Sequence, residues 1–324
     1  MKTKITALFV LVVLLFSLCS CAEFFVDTSD VKVTYESNNG DPAVVLGVGL
    51  VGLERPKTPV REGYIFTGWY KDVQCSKLYD FEKVPTHNIT LYAGWRFDAV
   101  KAINKFSQTL MSSSVCVSCT FYNSNIFGEM INHKTVSGSG VIIYEDSEKY
   151  YILSNNHVVN NTTGFMNESY EVIDAYGRVH RAEVLYRDAA YDLSLLSISK
   201  GLKKLSVAPL ATATSEINTP VLAVGSPDGQ LNTVTVGAVV DFTKVEIDDI
   251  SAEDNAIDFP VLFHDAPIDN GSSGGALFDG TLSLIGINFA ATERDDSFKY
   301  GLAVGADKIR EFLQNTSLRS YFSL

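Results

Sequence analysis

From about residue 112 to residue 305, apolar residues come in short runs separated by turn residues. Residues 138–144, 150–154, 193–198, 221–225 and 284–289 are the clearest such runs, rich in Val, Ile, Leu and Tyr. Runs this short, bounded by Gly, Asn, Asp and Ser, predict strands. Many strands with few helices predict an all-β sandwich or barrel. Helical spacing occurs twice. Val100, Ile103, Phe106 and Leu110 predict a connecting helix within residues 98–111, and Ile309, Phe312 and Leu313 predict a C-terminal helix over residues 307–314. Upstream, residues 31–37 alternate as a half-buried strand and lead into the turn residues Asn38, Asn39 and Gly40. Two aromatic, β-prone stretches follow, at residues 62–70 and 88–95. Together they predict a small β module over residues 31–97.

Within this pattern one serine stands out. Ser273 lies in Asn270-Gly271-Ser272-Ser273-Gly274-Gly275. Acyl transfer needs backbone N–H groups aimed at a developing oxyanion, in a loop tight enough for a carbonyl to approach. Glycine permits both the unusual backbone angles and the close approach. Gly/Ser runs also serve as flexible linkers. This run is embedded between apolar segments, residues 263–268 and 276–278, where a linker does not belong.

A serine nucleophile needs a base, and the base needs an orienting carboxylate. Of five histidines, His157 follows an apolar run and precedes two valines whose packing can hold it. His87, His133 and His180 read as ordinary surface or core histidines. His264 is nearer Ser273 in sequence but falls inside a strand, which leaves it a weaker alternative. Asp192 heads the apolar strand 193–198, where a carboxylate is costly unless hydrogen-bonded. Asp188, the rival, lies in a polar turn beside Arg187. The order along the chain is His157, Asp192, Ser273.

Charge narrows the partners. The chain of 324 residues has a net charge of −12, which disfavours nucleic acid as a partner. At its start, Lys2 and Lys4 precede an apolar run, residues 5–18, too short to span a bilayer comfortably. It ends in Leu18-Cys19-Ser20-Cys21, which resembles a bacterial lipobox, with Cys21 the better lipidation candidate because small Ser20 precedes it. The alternative is ordinary cleavage without a lipid. Lipidation implies a partner membrane and an extracytoplasmic location at the cell surface. Cys75, Cys116 and Cys119 remain, an odd number and no disulfide framework. Cys116 and Cys119 form a lone CxxC in a strand-like run, pointing to opposite strand faces. Small core residues are the favoured reading over a metal or redox pair. No metal or other cofactor is expected.

Two resemblances extend this reading. Residues 62–70 and 88–95 are similar to the Listeria–Bacteroides type, or internalin B-type, repeat. That implies a β-grasp-like module of bacterial surface proteins, present here in one copy. Its aromatics are expected mainly in the core, with a ligand-binding stripe as the alternative. Residues 138–143, 153–159, 191–196, 221–229, 265–277, 284–288 and 300–304 together resemble the protease domain of the HtrA/Deg family, in order and at suitable spacing. The resemblance implies a chymotrypsin-like double β-barrel, with His157 and Asp192 on the first barrel and Ser273 on the second. It also implies an oxyanion hole from the N–H groups of Gly271 and Ser273.

The expected organisation is therefore a lipoprotein signal peptide over 1–21, a tether over 22–30, the repeat over 31–97, the connecting helix over 98–111, and the protease domain over 112–324 with no PDZ domain. Ser272 stands where the family usually has Asn, and Pro267 replaces a small residue. A specificity pocket is expected from Pro267, Ile287, Asn288, Phe289 and Ala290. No acidic residue is obvious at its floor, so small or medium apolar side chains are expected there. The expected activity is a serine endopeptidase acting on extracytoplasmic, unfolded or damaged proteins. The alternative is an inactive barrel serving surface binding or adhesion. The acidic stretch 246–258 is expected in a loop, regulatory or merely solvated.

Overall fold

The structure is a computed structural model and describes residues 30–49, 52–161, 164–244, 257–295 and 298–322. The signal peptide, Cys21, the tether and most of the acidic stretch lie outside the described residues. The chain divides into two compact units, Met1–Arg96 and Phe97–Leu324. Among the described residues no helix is long and apolar enough to cross a membrane.

The first unit is built on strands β1 (Lys32–Glu36), β2 (Val44–Gly49), β3 (Gly52–Leu53), β4 (Tyr64–Tyr70) and β5 (Ile89–Phe97). They form one sheet in the order β3-β2-β1-β5-β4. The central pair, β1 and β5, is parallel, and β1 pairs antiparallel with β2. Alternation along β1 sends Val33 and Tyr35 inward. They meet Trp69, Tyr79, Leu91 and Ala93. The Tyr35 and Trp69 rings pack edge-on with centroids 4.9 Å apart, and Phe66 packs likewise against Trp69 and Trp95. Tyr35, Trp69 and Tyr79 are thus core residues. In a module this small, large aromatic side chains supply the buried area that its few strands cannot.

The second unit opens with α1 (Ala99–Thr109), capped by Asp98, whose Oδ1 accepts the Lys101 N–H at 3.0 Å. Its buried face runs through Ala102 and Phe106, one helical turn apart, with Phe106 against Phe278. Val100, expected on that face, is exposed, because it falls on the side away from the Ala102–Phe106 stripe.

Two barrels follow. The first comprises β6 (Ser114–Ser124), β7 (Met130–Glu145), β8 (Lys149–Ser154), β9 (Asn167–Ile173), β10 (Val179–Asp188) and β11 (Leu193–Ser199), with the four-residue helix α2 (Asn156–Val159) between β8 and β9. The second comprises β12 (Pro220–Gly225), β13 (Thr233–Thr243), β14 (Val261–His264), β15 (Ala276–Asp279), β16 (Leu284–Asp295) and β17 (Phe298–Gly305). Each closes on itself, in the orders β10-β11-β8-β7-β6-β9 and β12-β13-β14-β17-β16-β15. Closure leaves no open sheet edge to pair with other chains. Helix α3 (Ala306–Gln314) ends the domain with Ile309, Phe312 and Leu313 fully buried. These side chains join one apolar cluster with Val141, Leu153 and Leu195 of the first barrel and Leu222, Phe278 and Ile287 of the second. That shared core fixes the two barrels against each other. The architecture is the chymotrypsin-like double barrel with a C-terminal helix, preceded by a small β-sheet module.

Cys116 and Cys119 are buried on β6 and unbonded. Burial pushes the Cys116 thiol up and the Cys119 thiol up to about 12, the latter reinforced by Glu168. Both thus stay protonated and serve as small packing residues.

Candidate active site

The first half of the site hangs on the pairing of β8 with β11. Ser154 at the end of β8 sits opposite Ser194, so the residues just beyond β8 meet those just before β11. The chain turns out of β8 at Asn155, in extended geometry, into α2. Val158 and Val159 anchor that turn in the first barrel's core, leaving the His157 ring partly exposed. Asp192 is fully buried and holds a left-handed backbone, φ +49°. Aspartate tolerates that conformation better than most residues, and here tertiary bonds hold it. The Asp192 carbonyl accepts Asn155 Nδ2–H at 2.8 Å, and the Asn155 carbonyl accepts Ser194 Oγ–H at 3.0 Å. The carboxylate grips His157 twice. Oδ1 accepts the backbone N–H of His157 at 2.9 Å, and Oδ2 lies 2.7 Å from Nδ1. A carboxylate facing Nδ1 places the proton there and leaves Nε2 as the basic nitrogen.

The rival residues sit elsewhere. Asp188 caps its own turn by accepting the Ala190 N–H at 2.9 Å. His264 is buried on β14, its Nε2 3.0 Å from Asn288 Oδ1. His180 forms a second histidine–carboxylate pair, 2.8 Å from the buried Asp174. Arg178 shares that carboxylate. Burial alone would raise Asp174, but the bonds from Arg178 and His180 outweigh it and hold the carboxyl down to about 2. This pair staples the β9–β10 turn.

The second half is the loop between β14 and β15. Ser272 N–H donates to the Asp269 carbonyl at 2.9 Å, and Gly271, third in this four-residue turn, has φ +88°. That is the type II arrangement, which needs glycine at its third position. The central carbonyl of the turn, Asn270 O, accepts the Asp228 N–H at 3.1 Å. Because the peptide is planar and trans, the Gly271 N–H of that same unit points the opposite way. Further on, Gly274 N–H donates to the Asn288 carbonyl at 2.8 Å and Gly275 N–H to the Ser272 carbonyl at 2.9 Å. Ser272 is buried, and its Oγ accepts the Asp269 N–H at 3.1 Å, stiffening the turn at the position where Asn is usual in the resembled family. Ser272, Gly274 and Gly275 thus spend their N–H groups inside the fold. Among the described residues, the Gly271 and Ser273 N–H groups donate to nothing. The loop therefore offers two spare donors flanking one residue, with Ser273 Oγ beside them.

The halves meet at Gly138. A Cβ placed there would lie 2.7 Å from the Val158 side chain and 3.0 Å from the Ser273 carbonyl. The turn bearing His157 and the loop bearing Ser273 are thus separated by the width of a glycine. Ser273 Oγ donates to the Phe289 carbonyl at 3.2 Å.

Of the expected pocket residues, Pro267 is exposed and Ala290 half-buried, whereas Ile287, Asn288 and Phe289 are buried. Pro267 and Asn288 line a recess of about 320 Å³ together with Asp228, Asp269 and Ser272. Its lining includes neither His157 nor Ser273, so it backs the Asp269–Ser272 turn instead of fronting the serine. Among the described residues, no group of His, Cys, Asp and Glu side chains is arranged to hold a metal ion.

Sequence models of known families match two stretches. Residues 138–287 match the trypsin-like peptidase domain, and residues 32–94 match the Listeria–Bacteroides repeat domain. The chain carries a trypsin-like peptidase domain. Among curated relatives, the serine protease Do-like HtrB of Bacillus subtilis (strain 168) is 32% identical over 186 residues, 55% of this chain and 38% of HtrB. The periplasmic serine endoprotease DegP of Escherichia coli (strain K12) is 33% identical over 175 residues, 53% of this chain and 34% of DegP. The chain thus spans well under half the length of these relatives. Among solved structures, an inactive form of Rv3671c from Mycobacterium tuberculosis H37Rv superposes with a TM-score of 0.50 at 19% identity, covering 68% of this chain and 93% of that one. That likeness concerns the fold alone.

Inside the peptidase domain, His264 carries a consequence for stability. Burial pushes its imidazole from about 6.5 down to about 4, against the raising pull of the Asn288 bond. In the unfolded chain the imidazole protonates near 6.5, so between these values the unfolded state binds a proton that the folded state refuses. The contribution of neutral His264 is complete above 6.5 and is lost as pH falls through about 4. Urea unfolding at a series of pH values is expected to show stability declining across this window. His264→Gln is expected to flatten that decline, and an unchanged slope would contradict the assignment.

Proposed function

We propose that the protein is a serine endopeptidase whose nucleophile is Ser273, base His157 and orienting carboxylate Asp192. The observation that carries the reading is the loop with spare N–H groups on Gly271 and Ser273, set beside a histidine whose Nδ1 is held by a buried carboxylate. In the first step Ser273 Oγ rotates from the Phe289 carbonyl toward His157 Nε2 and attacks the carbonyl carbon of the scissile peptide. The Oγ proton passes to Nε2, and the carbonyl oxygen becomes an oxyanion that accepts the two N–H groups. Asp192 stabilises the imidazolium without taking its proton. Collapse of the tetrahedral species transfers the Nε2 proton to the leaving amine and leaves an acyl ester on Ser273. Water, deprotonated by the same Nε2, then releases the carboxylate product and restores the serine.

The relatives lend support to a protein substrate outside the cytoplasm. HtrB and DegP are named serine proteases, and DegP a periplasmic one. The proposed substrates are extracytoplasmic proteins in unfolded or damaged form, and the proposed location is extracytoplasmic, at a membrane to which Cys21 is lipid-anchored. The repeat module fits action on proteins near the cell surface, and cleavage after small apolar residues is part of the proposal. The test is incubation of the full chain, in mild detergent, with unfolded casein. New peptide termini are expected, and intact casein would count for the binding-protein alternative.

A further inference from the structure

The carbonyl groups from Asp269 to Ser273 are all engaged, and two of them converge on one buried residue of the other barrel. Asn270 O accepts the Asp228 N–H and Ser272 O accepts the Gly275 N–H, so both bonds originate within the second barrel. Gly271 O instead accepts the Oγ–H of Ser139 at 2.7 Å, and Ser273 O accepts the Ser139 N–H at 2.7 Å. Ser139 lies on β7 of the first barrel and is fully buried. Its remaining polar groups are also used. Its Oγ accepts the Ser226 N–H at 2.8 Å, and its carbonyl accepts the Ser154 Oγ–H at 2.7 Å. Ser154 ends β8, one residue before the turn that carries His157 begins.

Gly271 makes this arrangement consequential. Its φ of +88° is one of two basins that glycine occupies at similar cost. The peptides on either side of Gly271 can therefore rotate cheaply unless something outside the turn holds them. Rotation about Gly271 would swing its spare N–H away from the place where Ser273 Oγ works. The bond from Ser139 Oγ fixes the peptide after Gly271, and the bond from Ser139 N–H fixes the peptide after Ser273. The two spare donors are thus bracketed from one point. Crowding makes that point rigid, since a Cβ on Gly274 would lie 2.1 Å from Ser139 O and one on Gly225 2.9 Å from Ser139 Oγ.

We propose that Ser139 is a positioning residue of the peptidase reaction, locking the Gly271 and Ser273 N–H groups in the orientation that receives the oxyanion and tying that orientation to the first barrel. It touches neither substrate nor the reacting atoms, and the proposal rests on the peptidase reading above. Its signature is selective loss of transition-state stabilisation. Misplacement of a catalytic group by about 1 Å costs on the order of 10²-fold in rate, and here substrate binding does not involve Ser139.

The experiment compares the full wild-type chain with Ser139→Ala in peptide hydrolysis. Affinity is also measured for a peptide boronate, which mimics the tetrahedral oxyanion, and for the corresponding product carboxylate. The expected result is a fall in kcat of about 10²-fold with KM within threefold. Boronate affinity should fall by a similar factor while product affinity stays close to wild type; Tm falls as well, because the buried Gly271 carbonyl and Ser226 N–H lose their partner. Ser139→Thr, which keeps the hydroxyl, is expected to recover most of the lost kcat. Should Ser139→Ala fail to fold, Ser139→Cys supplies a side chain of similar shape with only a weak S–H donor, and at least a tenfold loss of kcat is expected from it. Wild-type kcat in either variant overturns the proposal while leaving the peptidase reading standing. So does a loss confined to KM and Tm. An inert wild type overturns both.

Discussion

Ser273→Ala is expected to abolish turnover of casein, with a loss of roughly 10⁶ in kcat, and to leave the fold intact. The loss is this large because every later step depends on the ester that only Oγ forms. Residual hydrolysis would come from the spare N–H groups of Gly271 and Ser273 acting on a water-attacked carbonyl, a route that remains faster than water alone. Stability should barely change. Ser273 Oγ makes a single bond of 3.2 Å, to the Phe289 carbonyl, and the Ser139 bond to the loop runs through the backbone carbonyl, which alanine keeps. Urea unfolding of the variant should thus coincide with wild type within about 1 kcal/mol. A variant that unfolds much earlier would show that its inactivity reports on folding and not on chemistry.

Asp192→Asn is expected to cost about 10⁴ in kcat at neutral pH. The amide fits where the carboxylate sits, and its carbonyl oxygen can still accept the His157 backbone N–H that Oδ1 accepts at 2.9 Å. At Oδ2, however, an N–H now faces His157 Nδ1 across the 2.7 Å contact. The imidazole must present Nδ1 as acceptor, which moves its proton to Nε2, the atom that has to take the serine proton. The base is then blocked by its own tautomer. Raising the pH does not relieve a blocked tautomer in the neutral ring, so activity should remain depressed from pH 6 to 8. Loss of activity below tenfold would remove Asp192 from the role given to it here.

The fold was legible because short apolar runs bounded by turn residues mark the strands of the two barrels, several of them buried on both faces. Runs such as residues 193–198 and 221–225 became β11 and β12, each within a residue of its observed ends. The pairing of His157 with Asp192 was legible because both flank apolar runs, and β8 and β11 prove to be neighbours. The pocket walls were less so. Residues 287 to 290 fall on β16 of a closed barrel, where both faces of a strand meet other protein, so alternation no longer tells an open wall from a core position. Ile287 and Phe289 lie in the core shared by the barrels. Val100 was misplaced because helical spacing fits more than one face of a short helix, and the partner that selects the face, Phe278, is distant in sequence. Ser139 was missed for a related reason. Between Gly138 and Gly140 it reads as one more strand residue, and its bond to Gly271 spans 132 positions. The flanking glycines were the available sign, since they leave the room in which Val158, Ile152 and the Ser273 carbonyl approach β7.

The most direct test of the account is to treat the full wild-type chain with a peptidyl fluorophosphonate and locate the adduct by mass spectrometry. The prediction is a single stoichiometric adduct on Ser273, formed far more slowly in His157→Ala. An adduct on Ser272 or elsewhere, or none while casein is still cleaved, would contradict the assignment of Ser273 as nucleophile.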